Sequence, residues 1–222
     1  MIRLQIKDIT VRLADRDVIK SFSLSAEGGD VVFISGDNGS GKSTLLKAIA
    51  GYLPLNEGHI FLSEKDKTSY PPSEWFSMVH YLPQHNPLAF PIKVKDLLVM
   101  AFYRDKKWYD NYSSEQYQKV DQLAERFAIT HLLERNAKEL SGGELQLCWL
   151  VQSFLAGPKV LLLDEPTQYL DAKNRTAFFS ILKEQVEHSS FICLCATHDL
   201  VFRKEEYGKM IEVQSTKYKK IK

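Results

Sequence analysis

The sequence has little of what would staple, anchor or charge a chain. Cysteine occurs three times in 222 residues, as Cys148, Cys193 and Cys195. The number is odd and each lies in an apolar run, which suits reduced core thiols and argues against a disulfide framework or a metal cluster. Net charge is almost absent: 29 Lys and Arg oppose 28 Asp and Glu, leaving +1. No general field therefore draws nucleic acid or an anionic membrane, and any anion site must be local. Long apolar runs are missing as well. The longest window without Asp, Glu, Lys or Arg, from Trp75 to Ile92, is broken by Pro83, Pro87 and Pro91 and carries His80, Gln84, His85 and Asn86; it is not a membrane span. The N-terminal MIRLQIKDITVRL alternates polar and apolar residues and lacks the apolar stretch and cleavage site of a signal peptide. The expectation is a cytoplasmic chain with no nucleic-acid partner, peripheral on the inner face of a membrane only through another protein.

What is present is enough apolar sequence, 44% of the chain, for one ordinary domain with a real core, and too little length for a tandem pair. Ile2, Leu4 and Ile6, then Ile9, Val11 and Leu13, repeat with period two and predict antiparallel strands with one buried face. Val31 to Ile34, Val160 to Leu163 and Phe191 to Ala196 are continuous apolar runs of the kind found in parallel strands buried on both faces. Each ends in polar residues: Ser35-Gly36, Asp164-Glu165 and Thr197-His198-Asp199. Ligands bind at that carboxyl edge in open parallel sheets. From residue 84 to 145 the chain turns Lys-, Tyr- and Glu-rich with helical spacing at Val120, Leu123, Ala124 and Phe127, predicting a helical insertion between core segments 1–83 and 146–222. The proline-rich Tyr70 to Pro91 is expected to be loops, and the lysine-rich end a frayed, solvated terminus. The fold class expected is α/β: a P-loop core with a parallel sheet, a small antiparallel β layer and a helical subdomain.

Gly36-Asp37-Asn38-Gly39-Ser40-Gly41-Lys42-Ser43-Thr44 fits G-x-x-x-x-G-K-S/T between a buried strand and a helix that can end at Gly51. Glycines let successive backbone N–H groups face phosphate oxygens, and the helix start adds partial positive charge. Lys42 reaches the β and γ phosphates, and the Ser43 hydroxyl can bind Mg²⁺. A P-loop enzyme also needs a carboxylate for the metal and a base for water. Asp164 and Glu165 supply both, Asp164 through the metal's water shell and Glu165 by accepting a proton. Ser141 and Glu144 form a capping box in front of an apolar helix. The two glycines between them, Gly142 and Gly143, bare the helix start for an anion such as a γ-phosphate.

The cradle, Gln84, LSGGE at 140–144, VLLLDEPT at 160–167, Leu170-Asp171 and Thr197-His198-Asp199, in that order, resemble the nucleotide-binding subunit of an ATP-binding cassette (ABC) transporter over nearly the whole chain. The resemblance implies an ATPase working as a head-to-tail dimer. ATP then lies between the cradle of one copy and the Ser141-Gly142-Gly143 helix start of the other. It implies Gln84 at Mg²⁺ and the lytic water, Asp171 across the dimer interface and His198 on the γ-phosphate. It also implies separate transmembrane permease subunits. The stretch Pro91 to Met100 followed by Tyr103-Arg104 is similar to that of importers of iron chelates, haem, cobalamin or zinc, so uptake of a metal or metal chelate is the expected role. A soluble cassette ATPase such as an iron-sulfur assembly factor is the alternative. The chain departs from the family pattern at Leu13, where an aromatic ring usually stacks on adenine, at Glu144 for glutamine, at Leu147 for arginine, and at Gln168-Tyr169 for a small pair.

Overall fold

The computed structural model describes residues 1–107, 109–198, 208–213 and 219–220. The chain divides into two units: Met1–Gln84, Pro158–Pro166 and Leu182–Lys222 form the first, His85–Gly157 and Thr167–Ile181 the second. The second unit thus reaches beyond the insertion expected at 84–145, taking in the whole helix that follows Ser141 and the segment after Pro166.

In the first unit, β1 (Arg3–Leu13) pairs antiparallel with β2 (Arg16–Glu27) and with β4 (Glu57–Leu62), and β5 (Lys65–Asp66) extends the layer on the far side of β4. The two period-two runs of the sequence are one strand. Their phase jumps between Ile6 and Ile9, and the register shifts there, with Asp8 at φ 48°, so that Leu4, Ile6, Ile9 and Val11 are all buried. Only Leu13, at the end of β1, is exposed.

The parallel sheet is built on β3 (Val31–Ser35), with β6 (Val79–Leu82), β7 (Val160–Asp164), β8 (Ile192–Ala196) and β9 (Lys209–Glu212), in the order β9-β3-β8-β7-β6. The edge beyond β9 carries β10 (Lys219–Lys220), antiparallel to it. Part of the lysine-rich end is therefore paired backbone and not a frayed terminus. Alternate residues of the central strands join α1 (Lys42–Ala50) and the inner face of β1 in one core: Val32, Ile34, Leu162, Leu194, Leu45, Ile49, Leu4 and Ile6. Continuous apolar strands are needed because the opposite alternates, Leu161, Leu163, Cys193 and Cys195, are buried too. All three cysteines are unpaired and buried. Burial pushes the Cys148 thiol up to about 12 and raises those of Cys193 and Cys195.

The expectation of loops over Tyr70 to Pro91 is corrected. Pro72 occupies the first turn of α2 (Pro72–Met78), where a missing N–H is harmless, and β6 follows at once as the edge strand of the parallel sheet. Val79 and Leu82 are buried while His80 and Tyr81 between them are only half-buried, so the four residues show neither the continuous run nor the clean alternation that marks a strand.

In the second unit, α3 (Val94–Val99), α4 (Ser114–Arg126) and α5 (Gly142–Leu155) supply the helices. The spacing read at Val120, Leu123, Ala124 and Phe127 is the buried face of α4 and its C-cap. Ser113 and Gln116 close a capping box at its start. A last helix, α6 (Ala172–Ser189), begins in this unit, belongs to the first unit from Leu182 onward and precedes β8.

Candidate active site

The cradle links β3 to α1. It turns through Gly39 and Gly41, at φ 79° and 100°, and a Cβ on Gly41 would come within 2.9 Å of Ile19 Cδ1 and 3.0 Å of Val18 Cγ1. Only glycine meets both the left-handed backbone and the close approach of β2. Asp37, Asn38 and Gly39 are exposed, whereas Ser40 and Lys42 are buried. The Lys42 ammonium donates to the carbonyls of Gly36 at 2.7 Å and Asp37 at 3.1 Å. Among the described residues Ser40 Oγ has no hydrogen-bond partner although it is buried, an arrangement that costs about 1–3 kcal/mol unless something satisfies it. A phosphate oxygen held by the loop would do so, and the buried cation beside it suits the same charge. The cradle therefore fits a nucleotide's phosphates on its own chemistry.

Both carboxylates stand at the end of β7, which β8 separates from β3 in the parallel sheet. Asp164 closes β7 and is 3% exposed, with both oxygens occupied: Ser43 Oγ donates to Oδ1 at 3.0 Å and Tyr81 Oη to Oδ2 at 2.9 Å. Burial first, then the charge of Asp164, pushes the Tyr81 phenol above its ordinary range and keeps it a donor. Because the Ser43 proton is committed to Asp164, the hydroxyl's lone pairs remain for a cation. This all-oxygen set of hydroxyl and carboxylate suits Mg²⁺, a hard cation. Glu165 adopts φ 50°, a left-handed conformation that a non-glycine residue takes at a cost of roughly 1–3 kcal/mol. Its N–H is tied to the Ala196 carbonyl at 2.9 Å, at the end of β8. Its side chain meets His198, with Oε2 to Nδ1 at 2.8 Å and the His198 N–H donating to the same oxygen at 3.4 Å. Gln84, two residues past β6, is half-buried. Lys42, Ser43, Asp164, Glu165, His198 and Gln84 thus follow the carboxyl ends of four neighbouring strands. Asp199 lies outside the described residues.

Two features here were not read from the sequence. Tyr81 sits in the stretch expected to be loops, so nothing marked its hydroxyl as an Asp164 partner. The contact between Glu165 and His198 depends on β7 and β8 being neighbours with their ends in register, which pattern alone does not specify.

In the second unit the capping box at α5 is present. Ser141 Oγ accepts from the Glu144 N–H at 3.3 Å, and Glu144 Oε2 accepts from the Ser141 N–H at 2.8 Å and from its hydroxyl at 2.7 Å. Those hydrogen bonds hold the Glu144 carboxyl below the usual range. The glycines turn out to differ. A Cβ on Gly142 would make ordinary contact with the Tyr169 ring at 3.6 Å, while one on Gly143 would lie 2.8 Å from the Tyr169 carbonyl oxygen. Gly143 is therefore required by packing within the chain, a reason separate from anion approach. The Tyr169 hydroxyl is 2.9 Å from His85 Nδ1. Asp171 caps α6 by accepting from the Asn174 N–H at 2.7 Å. Leu147, where the family pattern has arginine, is buried.

Residues 19–168 match the ABC transporter family. A probable ABC transporter ATP-binding protein encoded in the ycf23-apcF intergenic region of Cyanophora paradoxa is 34% identical over 200 residues, covering 89% of this chain and 80% of that protein. A probable iron chelatin transport ATP-binding protein of Helicobacter pylori is 30% identical over 212 residues, covering 94% and 83%. Zinc uptake system ATP-binding protein ZurA of Listeria innocua is 28% identical over 200 residues, covering 89% and 77%. Among solved structures, a nucleotide-free ATP-binding cassette from an ABC transporter superposes with a TM-score of 0.81 at 26% identity, over 98% of this chain and 90% of that one.

Proposed function

The chain belongs to the ABC transporter family and is an ATP-hydrolysing subunit of a membrane transporter, and from that premise we propose that the transporter imports a metal ion or a metal chelate. The iron chelatin and zinc relatives support this choice of cargo. No helix among the described residues is long and apolar enough to cross a membrane. The subunit acts from the cytoplasmic face through transmembrane permease subunits, a reading that the transport relatives support.

The site works as follows. Backbone N–H groups from Gly36, Asn38, Gly39, Ser40, Gly41 and Thr44 line the phosphates, the Ser40 hydroxyl gains the partner it lacks, and the Lys42 ammonium exchanges two carbonyls for β- and γ-phosphate oxygens. Ser43, Asp164 and Gln84 would hold Mg²⁺ here. The ion, when bound, neutralises charge on the phosphates. Glu165 accepts a proton from the attacking water. His198 holds that carboxylate by its Nδ1 contact and turns its exposed ring edge toward the γ-phosphate. A second copy, arranged head to tail, brings its own Ser141, Gly142 and Gly143 to the γ-phosphate, and Asp171 faces it across the interface.

The hydrogen bond from Ser43 to Asp164 carries this reading, because it joins the cradle to the carboxylate of a different strand. Lys42→Ala is the test. The buried ammonium is the cradle's direct cation, so the variant should lose ATP hydrolysis to background, measured as phosphate release. Wild-type turnover would refute the assignment. Cargo is tested by ATP-driven uptake of labelled iron chelates and zinc into vesicles holding the purified transporter, where indifference to both would refute metal import.

A further inference from the structure

Tyr81 carries a role that the nucleotide-site reading does not use. Its hydroxyl donates to Oδ2 of Asp164 at 2.9 Å while Ser43 donates to Oδ1 at 3.0 Å. A carboxylate gripped on both oxygens from different elements cannot turn about its own axis without breaking one of the bonds. The phenol is itself fixed. Its ring packs tilted against that of Tyr52 at 5.8 Å between centroids, and Tyr52 packs against Phe76 at 5.5 Å. Three rings, from the turn after α1, from α2 and from β6, thus brace one hydroxyl against one buried acid.

Resting on the site reading above, we propose that Tyr81 is a positioning residue for the divalent cation: it holds the plane of the Asp164 carboxylate so that Oδ1 keeps the Ser43 proton and the Ser43 lone pairs face the ion. Without the phenol, the carboxylate turns, Ser43 regains a rotating hydroxyl, and part of the alignment must be restored each time the ion binds. Partners of this kind behind a metal's immediate neighbours commonly govern metal affinity. The phosphate cradle, held by other residues, is untouched.

The variant Tyr81→Phe keeps the ring and its packing on Tyr52 and removes the donor. Binding of a non-hydrolysable ATP analogue, followed by calorimetry in EDTA and across a Mg²⁺ series, separates cation from phosphate. The half-saturating Mg²⁺ concentration should rise about three- to ten-fold in the variant, with affinity in EDTA unchanged; the thermal midpoint should fall by no more than a few degrees, because the buried Asp164 Oδ2 loses its donor. A Mg²⁺ curve that coincides with the wild-type curve, or shifts to lower concentration, overturns the positioning role. Loss of affinity in EDTA overturns it too, because the phenol would then be supporting the whole site. A wild-type chain whose nucleotide binding ignores Mg²⁺ would sink the site reading and this proposal with it, whereas a responsive wild type with an indifferent variant sinks only the proposal.

Discussion

Leu13 stands where the resemblance implies an aromatic ring over the base, a difference that binding can measure. It ends β1 two residues beyond Val11, whose cross-strand partner Ile19 lies against Gly41 of the cradle, and its side chain is exposed. That is a place from which a ring could cover a base, and leucine offers only apolar contact. Aromatic stacking on a base is worth roughly 1–3 kcal/mol in nucleic-acid complexes. Leu13→Tyr should therefore tighten ATP binding severalfold and tighten GTP by a similar factor, since stacking does not read the base edge. Titration of both nucleotides against both proteins checks this, and unchanged or weaker binding would show that Leu13 does not lie under the base. Individual residues were unevenly legible. Lys42, Ser43, Asp164 and Glu165 could be read because their chemistry demands fixed residue types at the ends of strongly patterned strands. Tyr81 could not, because a lone phenol in Val-His-Tyr-Leu has no pattern to announce it and its partner is 83 positions away. His198 was legible as a polar residue after a buried strand, but its pairing with Glu165 exists only once β8 lies beside β7.

The start of α5 shows how far an element can be read and where packing takes over. Ser141 and Glu144 announced the capping box, and both halves of it form. The two glycines looked alike in sequence, yet only Gly143 is crowded, by the Tyr169 carbonyl. Gly142→Ala should leave the thermal midpoint unchanged or raise it slightly, because alanine is the better helix former by up to about 1 kcal/mol and meets only ordinary contacts. Gly143→Ala must push the Tyr169 backbone away, and overpacking of this kind costs about 1–3 kcal/mol. Its midpoint should fall by several degrees. Equal behaviour of the two variants in thermal unfolding would mean that the Tyr169 contact does not constrain the helix start. Other elements divide along the same line. β3, β7 and β8 were legible as unbroken apolar runs because both faces are buried, and α4 because its apolar stripe is clean. β6 was not, because an edge strand with two half-buried members loses its signal, and α2 was masked by the prolines that in fact start it. The phase jump in β1 was visible as spacing, but a bulge is a backbone solution that spacing does not name.

For the molecule as a whole, the reading requires that two copies close on ATP and part after hydrolysis, so a variant that binds but cannot hydrolyse should stay closed. Glu165→Gln, at the proposed base, meets that condition well. Glutamine has the same shape, tolerates the left-handed backbone at φ 50° much as glutamate does, leaves the N–H bond to Ala196 in place, and keeps a side-chain oxygen for His198. The fold has no reason to change, and Asp164, Ser43 and the cradle are untouched. The amide cannot accept a proton from water, so the chemical step slows while affinity for ATP and Mg²⁺ persists. It also lacks the carboxylate's negative charge, which removes repulsion from the γ-phosphate in the closed state. With Mg²⁺ and ATP, the variant should elute from a sizing column at twice the mass of the wild type and revert to the smaller species when ATP is replaced by ADP. The wild-type protein, consuming its nucleotide, should show the larger species only transiently. A variant that stays monomeric at micromolar protein with saturating ATP would contradict the two-copy site, and one that turns over at the wild-type rate would remove Glu165 as the base. Each outcome is read from a different measurement, so failure of the assembly and failure of the chemistry can be told apart.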